Sequence, residues 1–125
     1  MAFRKELVQI MIADDSAAIR KALSEIVLKV NHEVIAECEN SDETLEKFKS
    51  KNPEIVFLDW EMPKVDGLTM LKEMKKINPN AKIIMITAHE NMSLIENCIK
   101  EGAIAYIIKP FDDEKIYDAI SFAME

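Results

Sequence analysis

The stretch Ile55-Val56-Phe57-Leu58-Asp59, followed at once by Trp60-Glu61-Met62-Pro63, governs the reading of the whole chain. Four apolar residues run together without a polar interruption. A strand with one wet face would alternate. An unbroken run suits a strand covered on both faces, as in a parallel sheet. The run then stops on a carboxylate. In an open parallel sheet, function gathers at the carboxyl ends of the strands, so Asp59 becomes the first candidate functional residue.

Working outward, similar runs recur at residues 8–13, 34–38, 83–86 and 105–108. The run at 34–38 differs, because Glu33, Glu37 and Glu39 alternate with Val34, Ala36 and Cys38 while Ile35 breaks the alternation. That mixed pattern suits an edge strand. Amphipathic stretches lie between the runs. Ile19, Ala22, Leu23, Ile26, Val27 and Val30 form one apolar stripe at helical spacing. Asn40 and Glu43 resemble a capping box opening a second helix that carries Leu45 and Phe48. Leu68, Leu71, Met74 and Ile77 mark a third helix, and Ile95, Cys98 and Ile99 a fourth. Ile116, Ala119, Ile120 and Ala123 mark a fifth, with Asp112 as its N-cap. Pro53 and Pro79 each stand shortly before an apolar run, where a helix has already ended. Gly67, in a turn after Asp66, and Gly102, where the fourth helix stops, both predict positive φ. Strands alternating with helices predict parallel pairing through right-handed crossovers. The expected fold class is α/β: a doubly wound, five-stranded parallel sheet of flavodoxin-like order 2-1-3-4-5, in one domain over residues 1–125.

Composition narrows the function. Sixteen basic and 23 acidic residues give a formal charge of −7. Such a surface repels nucleic acid, whose binding needs Lys and Arg to displace counterions. Cys38 and Cys98 match no zinc or redox spacing and read as reduced thiols. No stretch has the layout of a signal peptide, and no apolar run reaches the ~20 residues of a membrane helix. These features predict a cytoplasmic protein.

The residues that follow the runs carry the chemistry. Asp14 and Asp15 follow the first, Asp59 the third, Thr87 the fourth and Lys109 the fifth. Asp and Thr often start turns or cap helices, so each alone is weak. Their coincidence at one rim is not explained by turn chemistry. Three crowded carboxylates repel unless something positive intervenes, and Lys109 supplies a single charge. An anionic, oxygen-rich pocket suits a hard cation such as Mg²⁺, with Mn²⁺ as an alternative, and a metal-assisted phosphate reaction.

On the residues Asp14-Asp15, Asp59, Met62-Pro63, Asp66-Gly67, Thr87-Ala88, Gly102-Ala103, Tyr106 and Lys109-Pro110, the chain resembles the receiver domains of two-component response regulators. It is most similar to the single-domain, chemotaxis-regulator type. The markers run in family order across the chain. The resemblance implies that Asp59 accepts a phosphoryl group from a phosphohistidine of a histidine kinase or phosphotransfer domain. It implies Mg²⁺ ligands at Asp15, at Asp14 through water, at Asp59 and at the backbone carbonyl of Glu61. Lys109 would pair with the phosphoryl oxygens, with Thr87 and Ala88 beside them. Thr87 and Tyr106 would form a switch, the Lys109–Pro110 bond would be cis, and a protein target would dock on the face of helix 4, strand 5 and helix 5. The domain would not be an enzyme beyond phosphotransfer and slow autodephosphorylation. It would act as a monomer or a phosphorylation-linked dimer, without membrane or direct nucleic acid contact.

Several residues keep two readings. A strand-end Thr87 also suits a backbone bond, and a strand Tyr106 suits plain packing. Glu61 stands where such chemotaxis regulators often have Asn, and His89 lies two residues after Thr87. The pair either tunes the lifetime of the phosphate or consists of two solvated loop residues. Trp60 reads as a surface anchor or as a cover over the site, His32 as a solvated loop residue, and Met70, Met74 and Met92 as core filler. Rival functions are a receiver module cut from a longer DNA-binding regulator, an Asp-nucleophile phosphatase and a flavodoxin. The phosphatase lacks room for a cap and substrate pocket. The flavodoxin needs a Ser/Thr/Gly-rich loop where Asp14 and Asp15 stand, and no GxxxxGK[ST] phosphate loop occurs.

Overall fold

The computed structural model describes residues 7–125. Five strands alternate with five helices: β1 (Gln9–Ala13), α1 (Ala17–Lys29), β2 (Glu33–Cys38), α2 (Ser41–Lys51), β3 (Ile55–Asp59), α3 (Gly67–Ile77), β4 (Lys82–Thr87), α4 (Met92–Lys100), β5 (Ala105–Ile108) and α5 (Asp113–Ala123). The strands are all parallel and stand in the order β2-β1-β3-β4-β5. The chain is therefore the α/β, doubly wound domain that its apolar runs predict.

Period-2 alternation splits the core into two layers. Met11, Val56, Leu58, Ile83 and Met85 face α2, α3 and α4, where they meet Phe48, Met70, Leu71, Met74 and Cys98. Ile10, Ile12, Ile55, Phe57, Ile84 and Ile86 face α1 and α5, where they meet Leu23, Val27, Ile116 and Ile120. All five residues of β3 are buried, which is why no polar residue interrupts it before Asp59. At the edge, β1 pairs Ile10 with Val34 but Met11 with Ala36, so Ile35 is skipped. A bulge of this kind explains the break in the Glu/apolar alternation of β2.

Each helix opens on a side-chain cap. Ser16, Asn40, Asp66, Asn91 and Asp112 accept from the backbone N–H groups of Ile19, Glu43, Thr69, Leu94 and Lys115. Glu43 Oε1 in turn accepts from the Glu39 N–H at 3.1 Å, one residue ahead of the usual capping-box partner.

Three expectations need correction. Gly102 has φ +112°, but Gly67 does not adopt positive φ; it is the first residue of α3. The left-handed residue of that loop is Lys64, at φ 79°. Gly67 is required for close approach instead: a Cβ there would lie 2.7 Å from Trp60 Cα and 3.1 Å from the Asp59 carbonyl oxygen. Met92 is 62% exposed and is not core filler, because it opens α4 at the solvent side, and Ile99 and Ile77 are exposed as well. His32 is not merely solvated, since its Nδ1 accepts from the Val8 N–H at 3.2 Å.

The Gly67 contact carries a prediction. Trp60 is held by hydrogen bonds from its N–H to Ile86 and from the Gly67 N–H to its carbonyl, so the backbone cannot yield. Gly67→Ala should lower stability by about 1–3 kcal/mol through overpacking, read as a shift of the urea midpoint at unchanged slope.

Candidate functional site

β1, β3, β4 and β5 are successive neighbours, so their carboxyl ends share one rim. Asp14 follows β1, and its N–H donates to the Cys38 carbonyl at 3.0 Å, which continues the sheet by one residue. Asp59 is the last residue of β3 and Thr87 the last of β4. Lys109 follows β5; its N–H donates to the Thr87 carbonyl at 2.7 Å, and its bond to Pro110 is cis.

At this rim, Asp14 and Asp59 are only 1% and 4% exposed, whereas Asp15 is exposed. Carboxylate oxygens of the three lie within 4.8 Å of one another. Lys109 Nζ lies 3.0 Å from Asp14 Oδ2 and 3.3 Å from Asp59 Oδ1. Only the Asp59 contact has hydrogen-bonding angles; Asp14 Oδ2 is buried without a hydrogen-bond donor, although the ammonium stands beside it. The other oxygen of Asp14 accepts from the Ser16 N–H at 2.9 Å. Asp59 Oδ1 also accepts from the Glu61 N–H at 3.3 Å.

Electrostatics follow from this crowding. Burial, and then the Asp14 charge, push the Asp59 carboxyl up to about 6, and Lys109 only partly opposes them. For Lys109 burial alone would lower the pKa, but its contacts with Asp14 and Asp59 outweigh burial and raise it. One ammonium faces three carboxylates, so two negative charges stay uncompensated when all are ionised. Asp14 Oδ2, buried and met by the ammonium without hydrogen-bonding angles, and this surplus fit a hard, oxygen-seeking divalent cation.

The remaining candidates surround the pocket. Thr87 is 3% exposed, and its Oγ1 accepts from the His89 N–H at 3.0 Å. Ala88 is exposed. The side chains of Glu61 and His89 meet in an exposed contact between Oε1 and Nε2. Trp60 is half-buried and lines an apolar hollow with Met85, Thr87, Leu94, Ile95, Cys98 and Tyr106. Tyr106 is 42% exposed. Arg20 is not singled out by the sequence pattern, yet its Nη1 donates to the Asp14 carbonyl at 2.6 Å. Its only signal was to be a cation directly beside the apolar stripe of α1, six residues after Asp14.

A model of the response regulator receiver domain matches residues 10–121. The chain belongs to this family. The chemotaxis protein CheY of Bacillus subtilis is 40% identical over 113 residues, 90% of this chain and 94% of that protein. Sporulation initiation phosphotransferase F of Bacillus subtilis is 33% identical over 112 residues, 90% of each chain. A chain of the CheX-CheY-BeF3-Mg+2 complex from Borrelia burgdorferi superimposes with a TM-score of 0.91 at 32% identity, covering 94% of this receiver domain and 90% of that chain. The receiver fold and its acidic rim are thus seen together here, in a CheY-like chain of two-component signalling.

The raised Asp59 pKa fixes the sign of a stability effect. A carboxyl whose folded pKa lies above its ordinary 3.8 contributes most while protonated, and that contribution is lost as pH rises through about 6. In EDTA at pH 7.5, Asp59→Asn should therefore stabilise the domain by about 1–3 kcal/mol. The gain should shrink toward pH 4, as thermal unfolding at both pH values will test.

Proposed function

We propose that this domain, residues 1–125, is a signalling switch phosphorylated on Asp59 by a phosphohistidine of a kinase or phosphotransfer domain. The observation that carries this reading is the contact of Lys109 with both Asp14 and Asp59 beside the exposed carboxylate of Asp15. Asp59 Oδ1 is held by Lys109 and the Glu61 N–H, which leaves Oδ2 as the attacking atom. The new O–P bond forms as the P–N bond breaks, and the released imidazole takes up a proton. Mg²⁺, or Mn²⁺, when bound by Asp14, Asp15, Asp59 and the Glu61 carbonyl, would supply charge neutralisation on the phosphoryl oxygens. Lys109 stays within reach of the same oxygens and keeps one positive charge on them. In the ionised pocket it also makes Asp59 a carboxylate at neutral pH.

Thr87 supplies the response. Its Oγ1 accepts from the His89 N–H, so its own proton is available to a phosphoryl oxygen, with the Ala88 N–H next in line. The hollow lined by Thr87 and Tyr106 has room for about one water molecule. A tyrosine ring does not fit until Thr87 withdraws, which couples phosphorylation to Tyr106. The output surface is then α4, β5 and α5, where Met92, Ile99, Tyr106 and Phe122 are exposed. A protein target docks there, with a phosphorylation-linked dimer as the other use of this face. The single-domain relatives support chemotaxis as the setting. Among the described residues, no helix is long and apolar enough to cross a membrane, in keeping with cytoplasmic signalling. Turnover is limited to slow autodephosphorylation, which the Glu61–His89 contact tunes by standing over the approach of water.

Two experiments test this. Incubation with acetyl phosphate and Mg²⁺ should add one phosphoryl group by mass spectrometry to the wild type, none to Asp59→Asn, and none to the wild type in EDTA. Phosphate decay should change severalfold in Glu61→Asn or His89→Ala; equal rates in both variants and the wild type would remove the tuning role.

A further inference from the structure

Arg20 stands on the fourth position of α1 and reaches back past the helix start. Its side chain is only 15% exposed. Nη1 donates to the Asp14 carbonyl at 2.6 Å, and Nε lies 3.5 Å from Glu37 Oε1 on the edge strand β2. The carbonyl of Asp14 belongs to the peptide unit that joins Asp14 to Asp15. Its plane sets the direction in which Asp15 leaves the sheet. At the other end of Asp14, the N–H is tied to the Cys38 carbonyl. The side chain of Asp14 is tied through Oδ1 to the Ser16 N–H, and Ser16 caps the helix that carries Arg20. The main chain at Asp14 is thus clamped on both sides, and Arg20 closes the loop.

Resting on the cation site proposed above, we infer that Arg20 is a positioning residue: it holds the Asp14–Asp15 peptide so that both carboxylates meet one cation. Charge and position make opposite forecasts here. A guanidinium beside an acidic pocket repels a cation, so removing its charge alone should tighten cation binding. If its main effect is to orient the peptide, its removal should weaken binding, as loss of an outer-shell partner usually does.

Arg20→Met keeps the length and packing of the stem while deleting donor and charge. Arg20→Lys keeps a donor and a charge within reach of the carbonyl. Mn²⁺ is the probe, counted by the EPR signal of the free ion, with thermal unfolding measured alongside. Arg20→Met should bind Mn²⁺ about tenfold more weakly, and Arg20→Lys should restore most of the affinity. Saturating Mg²⁺ should return the acetyl phosphate reaction of Arg20→Met to the wild-type rate, because Asp59 and Lys109 are untouched. Equal or tighter Mn²⁺ binding by Arg20→Met would overturn the assignment. Weak binding by a fully folded Arg20→Lys, no better than Met, would do the same. Should the wild type itself bind no Mn²⁺ at millimolar concentration, the cation site falls, and this role with it.

Discussion

One ammonium group among three carboxylates is the constraint on which the site depends. Asp14 and Asp59 are withdrawn from water, and the charge of Asp14 disfavours that of Asp59. Lys109 relieves this by standing 3.0 Å from one and 3.3 Å from the other. The relief is incomplete. Asp14 keeps a buried oxygen without a hydrogen-bond donor, and Asp59 keeps a carboxyl that titrates near 6. A protein optimised for stability alone would replace such a cluster with apolar residues or complete its pairing. The unresolved charge is of the kind a hard divalent ion would neutralise.

The fold explains how residues 95 positions apart, such as Asp14 and Lys109, come to meet. Parallel pairing points every strand the same way, and right-handed crossovers return the chain to the opposite end each time. The carboxyl ends of β1, β3, β4 and β5 then form one row. Tight packing holds that row in place. Gly67 brings α3 against the Trp60 backbone at a distance that admits no Cβ. Ser41 Oγ donates to the Pro63 carbonyl at 3.3 Å, and Lys64 pairs with Asp42 at 2.6 Å, so α2 braces the loop after Asp59.

Much of this was legible in the residues themselves. The unbroken apolar run before Asp59 reported a strand buried on both faces, and the Glu alternation around Ile35 reported an edge. Polar residues directly after four runs reported the rim. What stayed hidden depends on distances that no local pattern encodes. Gly67 looked like a turn glycine because Asp66-Gly67 commonly is one; only the path of the Trp60 backbone reveals the steric reason. Met92 looked like core because Met usually fills gaps, yet at the first turn of α4 it points to solvent. His32 and Arg20 both bond main-chain groups of residues that sequence spacing does not connect to a helix face.

The same packing that fixes the rim also joins Thr87 to the residues around it. Thr87 is held in two ways: its hydroxyl oxygen accepts from His89, and its carbonyl accepts from Lys109. The carbonyl bond belongs to the sheet and is shared with the residue that bridges the acids. The hydroxyl bond belongs to a loop and is easily exchanged. A new acceptor on Asp59 would therefore draw the free proton of the Thr87 hydroxyl, while the sheet bond keeps its backbone still. Because the hollow lined by Thr87, Tyr106 and Trp60 has room for about one water molecule, a shift of the Thr87 side chain would change the space open to Tyr106 and Trp60. A dense core permits few intermediate arrangements. The buried hydroxyl of Thr87 thus lies in the same packed wall as Tyr106, on the exposed edge formed by β5.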